Sequence, residues 1–160
     1  MAEAKIYADL KADHDRHRDM LAKLAETSAD SEERRTLFEA FRVEVTAHAA
    51  AEEESLYSEM LGNPDLRDEA RHSVSEHKEI DDFLGELSEM DMGSSAWKQK
   101  FEEMRHRYEH HIDEEEEEMF PAAAEELSAE TEQKLAEIFE TNKPKEKEAA
   151  IANPQSDERE

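Results

Sequence analysis

Cysteine is absent from the 160 residues, which excludes disulfide frameworks, thiolate-ligated zinc or iron–sulfur clusters, thiol nucleophiles and CxxC redox chemistry. Glycine and proline are scarce, at three and four residues. Little therefore interrupts a helix, and a composition dominated by Ala, Glu, Leu, Lys and Met favours long helices over strands. Positive charge is in short supply: 20 Lys and Arg stand against 45 Asp and Glu, a net charge of −25. A field that negative repels phosphate backbones and anionic bilayers, so nucleic acid and membrane surfaces are not expected partners, whereas cations are. The longest apolar run, Met119 to Ala124, is far too short to span a bilayer. With a charged N-terminus that has no apolar stretch, the chain reads as soluble, unexported and cytoplasmic. Its length suits a single domain.

What is present is a succession of helical segments. The first is predicted over about Ala4 to Glu26. The polar stretch from Thr27 to Asp30 separates it from a second, N-capped by Asp30 with Glu33 three residues on, that reaches about Leu61. Gly62 stops it, and Asn63-Pro64 reads as the N-cap and first position of a third helix ending near Asp91. Ser94 or Ser95 caps a fourth that runs to Phe120, where Pro121 must kink it or begin a new turn. Ser128 caps a short fifth helix ending near Thr141. Residues 142–160 combine Lys, Glu and two prolines with few large apolar groups, and read as a disordered tail behind a domain of residues 1–141. Four long helices on short loops predict an all-α, up-down-up-down four-helix bundle.

Each long helix carries an apolar stripe at steps of three and four, and each stripe is interrupted by polar residues of the same kinds. Helices two and four hold a His followed four residues later by a Glu, in His48-Ala-Ala-Ala-Glu52 and His111-Ile-Asp-Glu-Glu115. Residues four apart share a helical face, so one imidazole and one carboxylate point the same way. Helices one and three each add a mid-seam histidine, His14 and His77. Spacing supplies an independent check: an offset of 77 − 14 = 63 carries His14 onto His77, His48 onto His111 and Glu52 onto Glu115, and aligns Leu21 with Leu84, Phe38 with Phe101 and Tyr57 with Phe120. Two related helical hairpins face each other.

Six ionisable groups converging in a core demand neutralisation. A buried ionisable group without adequate partners costs on the order of several kcal/mol, and six would rival the roughly 5–15 kcal/mol net stability of a domain. Two cations bridged by carboxylates and held by neutral imidazoles remove that conflict. Imidazole and carboxylate also suit zinc or manganese, so the residues alone do not select the metal.

Asp13-His14, HAAAEEESLY from His48, SEHKEI around His77 and HIDEEEEEMFP from His111 resemble the four signature segments of the hemerythrin-like, or HHE cation-binding, family, over residues 1 to about 127. The resemblance implies a non-haem di-iron centre in a four-helix bundle, bridged by two carboxylates and an oxo or hydroxo group. It further implies that His14 and His48 hold one iron, His77 and His111 the other, with Glu52 and Glu115 bridging, and that the ligand is O2, peroxide or NO, bound for sensing, scavenging or storage or turned over enzymatically. Ferritin-like bundles use Glu-x-x-His rather than His-x-x-x-Glu. The pattern departs at Ser73, where oxygen-carrying hemerythrins have a further histidine, and His72 lies roughly 140° around the helix from His77. Each ion is thereby left an open position, which suits chemistry at least as well as carriage.

Several neighbours carry secondary expectations. His17, where the repeat has Ile80, offers itself as a further ligand or as a group hydrogen-bonded behind the ligands. Tyr108 is the nearest phenol candidate or a core aromatic. His72, His106 and His110 fall off the seams, glutamates 114 to 118 wrap the whole helix so that most are solvated and only Glu115 is placed to bridge, and Met20, Met60, Met104 and Met119 read as core filler.

Overall fold

The computed structural model describes residues 3–152. Helix α1 spans Lys5–Ala25, α2 Glu32–Glu52, α3 Ser58–Leu61, α4 Arg67–Glu89, α5 Ser95–Glu114, α6 Phe120–Glu126 and α7 Ala129–Ala152, with π-helical turns at Glu53–Tyr57 and Glu115–Met119. α2, the first π turn and α3 form one continuous rod, as do α5, the second π turn and α6. With α1 and α4 these rods make the expected four-helix bundle, and α7 is the fifth helix. Among the described residues no helix is long and apolar enough to cross a membrane.

Local chemistry explains most boundaries. Ser31, rather than Asp30, caps α2 by accepting the Arg34 N–H, because Asp30 sits at φ 49° in the left-handed region and pairs with Arg35 instead. Ser94 caps α5 through the Trp97 N–H and Ser128 opens α7 by accepting the Thr131 N–H. Asn63 does not cap the third long helix: its side chain accepts the Asp65 N–H at 2.8 Å in a turn, and α4 begins only at Arg67. Gly93 lies where the two loops at one end of the bundle touch, since a Cβ there would meet the Asp30 Cβ at 2.9 Å. Pro121 falls in the first turn of α6, directly after the second π turn.

The C-terminal helix corrects the expectation of a short helix followed by a disordered tail. α7 runs through Pro144 to Ala152, because tertiary contacts outweigh a polar composition. Lys143 reaches Glu44 at 2.6 Å and Asp13 at 2.8 Å, Arg42 donates to the Ala150 carbonyl at 3.0 Å, and Asn142 donates to Glu54 at 2.9 Å. The remainder of the expected tail, residues 153–160, lies outside the described residues.

The apolar core is split. One cluster, with Ile6, Leu10, Leu56, Met60, Met119 and Phe139, fills one end. A second, with Leu21, Phe41, Leu84, Trp97, Phe101 and Met104, fills the other. Met60, Met104 and Met119 are buried filler, and Met20 packs at the edge. Between the clusters lies a layer of buried histidines and carboxylates.

Candidate metal centre

All six residues singled out by the repeat, His14, His48, Glu52, His77, His111 and Glu115, are at most 8% exposed and meet in this layer. Two triads form, each with ligand atoms within 4.8 Å of one another: His14, His48 and Glu52 in the first half-site, and His77, His111 and Glu115 in the second. The carboxylates tie the halves together. Glu52 Oε1 is 3.4 Å from both His48 Nε2 and His77 Nε2, and Glu115 lies 3.1 Å from His14 Nε2 and 3.8 Å from His111 Nε2. Each glutamate thus faces one imidazole of either half.

The inner atoms approach without bonding. His14 Nε2, His48 Nε2, both Glu52 oxygens and Glu115 Oε1 are fully buried and have no hydrogen-bond partner. Orphaned buried polar atoms are rare, and these five line one interior layer, where three are carboxylate oxygens and two are imidazole nitrogens that become free donors to a cation once deprotonated. The donor set of imidazole nitrogen and carboxylate oxygen fits divalent transition metals.

The outer nitrogens explain why. Each Nδ1 meets a carboxylate: His14 with Glu116 and His77 with Glu53, both at 2.8 Å, His48 with Asp13 at 2.8 Å and His111 with Glu76 at 2.7 Å. A carboxylate only accepts, so Nδ1–H donates and Nε2 is turned inward, its lone pair available to a cation whenever the imidazole is neutral. Helical spacing gives these four carboxylates no role, yet the same 63-residue offset carries Asp13 onto Glu76 and Glu53 onto Glu116.

Charge balance follows from the same contacts. Burial alone would push the His14 imidazole down, but Glu115 and Glu116 outweigh it and hold the group at about 9. At His77 burial is likewise outweighed, by Glu52 and Glu53, and the group stands at about 10. Burial opposes ionisation of Glu52, yet His48 and His77 hold its carboxyl well below the usual range. In the metal-free layer protons on two histidines occupy the electrostatic role of cations.

The π turns place two aromatic rings. An i→i+5 turn carries one extra residue, so both Leu56 and Tyr57 turn inward after Glu52, and both Met119 and Phe120 after Glu115. Tyr57 stacks on His77 at 5.2 Å between centroids and Phe120 on His14 at 6.1 Å, as repeat-related partners. Tyr57 donates to Glu115 Oε2 and its oxygen lies 3.4 Å from His77 Nε2. It is therefore Tyr57, not Tyr108, whose phenol enters the carboxylate layer. In a straight helix Tyr57 falls off the seam that carries Glu52 and Leu56, so residue spacing gives no signal for it.

His17 is buried, with Nε2 donating to Glu44 at 3.2 Å and Nδ1 accepting from the Tyr108 hydroxyl at 2.7 Å. Burial pushes it down to about 3, so it is neutral with both nitrogens engaged. Ser73 is buried and its hydroxyl faces Met119 Sδ at 3.9 Å. His72 and His110 have side chains 60% and 67% exposed, and His106 is exposed as well. His72 joins Glu76 and Glu114 in a surface group.

The family model for the hemerythrin HHE cation binding domain matches residues 5–123. The chain belongs to the hemerythrin HHE cation-binding family, and its fold is that of a helical bundle built to hold a cation. A crystal structure of a hemerythrin HHE cation binding domain-containing protein from Mycobacterium kansasii is similar, with a TM-score of 0.81 and 24% identity over 95% of this chain and 91% of that one. At that identity the likeness speaks to fold alone. No curated protein matches the chain.

Proposed function

We propose that the chain is a cytoplasmic non-haem di-iron protein that binds O2, peroxide or NO for sensing, scavenging or storage. In this reading His14 and His48 hold one iron, His77 and His111 the other, and Glu52 and Glu115 bridge them. The observation that carries it is one buried layer of imidazoles and carboxylates drawn from all four rods of the bundle, in which His14 Nε2, His48 Nε2, both Glu52 oxygens and Glu115 Oε1 have no hydrogen-bond partner. Iron held by these residues would supply redox-active cations to the layer.

The chain's own residues do the rest. Asp13, Glu53, Glu76 and Glu116 fix the imidazole tautomers, and the two apolar clusters exclude water on either side. A cavity of about 400 Å³ between α2 and α4 reaches His48, His77 and Tyr108 past Val45, Ile80 and Leu84. Val45, Ile80 and Leu84 supply the apolar part of its lining, and Glu53, Lys78 and Asp81 the charged part. The second reading is turnover of peroxide or NO, favoured by Ser73 at the place of a further histidine, or donation of iron for cluster repair.

Iron quantitation with a near-ultraviolet absorption spectrum tests the proposal. Two irons per chain with strong charge-transfer bands are expected, and a reversible change on oxygenation separates binding from sustained consumption of peroxide or NO with a reductant. Fewer than one metal per chain from both aerobic and anaerobic preparations rejects the dinuclear reading.

A further inference from the structure

The four carboxylates behind the histidines obey the repeat, but their surroundings do not. In the first half-site Asp13 pairs with Arg16 and with Lys143 at 2.8 Å, and Glu116 pairs with Arg18 at 3.2 Å. In the second, among the described residues, neither Glu53 nor Glu76 pairs with a lysine or arginine: Glu53 holds His77, and Glu76 holds His111 and the exposed His72. The repeat puts Glu79 and Asp81 where Arg16 and Arg18 stand. Even the ion pair between neighbouring helices is kept with its charges exchanged, Arg16–Glu44 at 3.5 Å in one half and Glu79–Arg107 at 2.7 Å in the other. Lys143 comes from α7, which packs on α1 and α2, the helices that carry His14 and His48.

A cation beside a carboxylate weakens both the carboxylate's pull on an imidazole N–H and the local attraction for a second cation. We infer that the two halves hold divalent ions unequally: the ion at His77 and His111 binds first and tightly, and the ion at His14 and His48 is the exchangeable one, loosened by Arg16, Arg18 and Lys143. The inference rests on the dinuclear reading above.

Anaerobic titration of the metal-free chain with Fe(II), and separately with Zn(II), against a competing chelator reads stoichiometry and steps together. Two ions should enter in steps at least about tenfold apart, with the tight step lost in His77→Ala and the weak step lost in His14→Ala. Two ions also repel each other, so unequal steps alone do not assign the sites. The triple variant Arg16→Gln, Arg18→Gln, Lys143→Gln should tighten the weak step alone by about tenfold, with helicity unchanged, and it decides the matter if a histidine variant does not fold. A tight step that survives in His77→Ala, or a triple variant that alters both steps equally or neither, overturns the inference while leaving two ions in place. One ion per wild-type chain overturns the dinuclear reading itself and the inequality with it.

Discussion

Asp13 and Glu76 perform one task twice: each accepts from the Nδ1 of a histidine 35 residues further along the chain, His48 at 2.8 Å and His111 at 2.7 Å. Such partners set tautomer and ligand basicity together. Asp13→Asn and Glu76→Gln are each expected to lower metal affinity by about 10–100-fold with little loss of helicity, read by chelator competition and circular dichroism. Wild-type affinity in both variants would show that the outer carboxylates do not govern the imidazoles.

Glu52 and Glu115 each face a histidine of both half-sites. Replacing either with Ala should therefore cost both ions rather than one, whereas His72→Ala and His110→Ala, at exposed positions, should keep metal content near wild type. Elemental analysis of the four proteins checks this, and equal losses from all of them would refute the assignment of the inner layer.

The metal-free protein has a defined pH response. His14 and His77 stand at about 9 and about 10, above the ordinary 6.5 of an unfolded histidine. Their contribution to stability is full below about pH 6.5 and is lost as pH rises through the folded values. Melting temperatures of the metal-free chain should fall between pH 7 and pH 10, and metal should remove that slope by replacing the protons. A flat profile without metal would contradict the proton-for-cation balance.

Lys143 and Arg42 tie α7 to the bundle. Ending the chain after Thr141 leaves Asp13 and Glu44, both largely buried, without the Lys143 cation. A loss of about 2 kcal/mol, or roughly 4–8 °C in Tm, is expected. An unchanged Tm in thermal denaturation would mark the segment as dispensable.

Tyr57 locks Glu115 through its hydroxyl. Tyr57→Phe keeps the stacking on His77 and copies Phe120 in the other half, so a drop in metal affinity without a drop in Tm is expected. Parallel losses in both would point to packing instead.

The apolar stripes and the His-x-x-x-Glu spacing made the bundle and the six inner residues legible, because both depend on which residues share a helical face, a property of sequence order alone. The same offset already contained Asp13, Glu53, Glu76 and Glu116, but acidic residues are so common in this chain that only the distances to Nδ1 distinguish the role of these four. The π turns were hidden for another reason. No composition distinguishes EESLY or EEEEM from ordinary helix, and the wider turn is selected by what it packs against.

Residue order thus determined four striped helices, a twofold repeat and a ring of imidazoles and acids along the seams, since helical periodicity is a local geometric rule. Folding in three dimensions settled which phenol entered the layer, which carboxylate turned each imidazole, and that the polar C-terminal segment became a helix. Those outcomes depend on ion pairs and packing between residues as far apart as Asp13 and Lys143, whose energies exist only once distant parts of the chain have met.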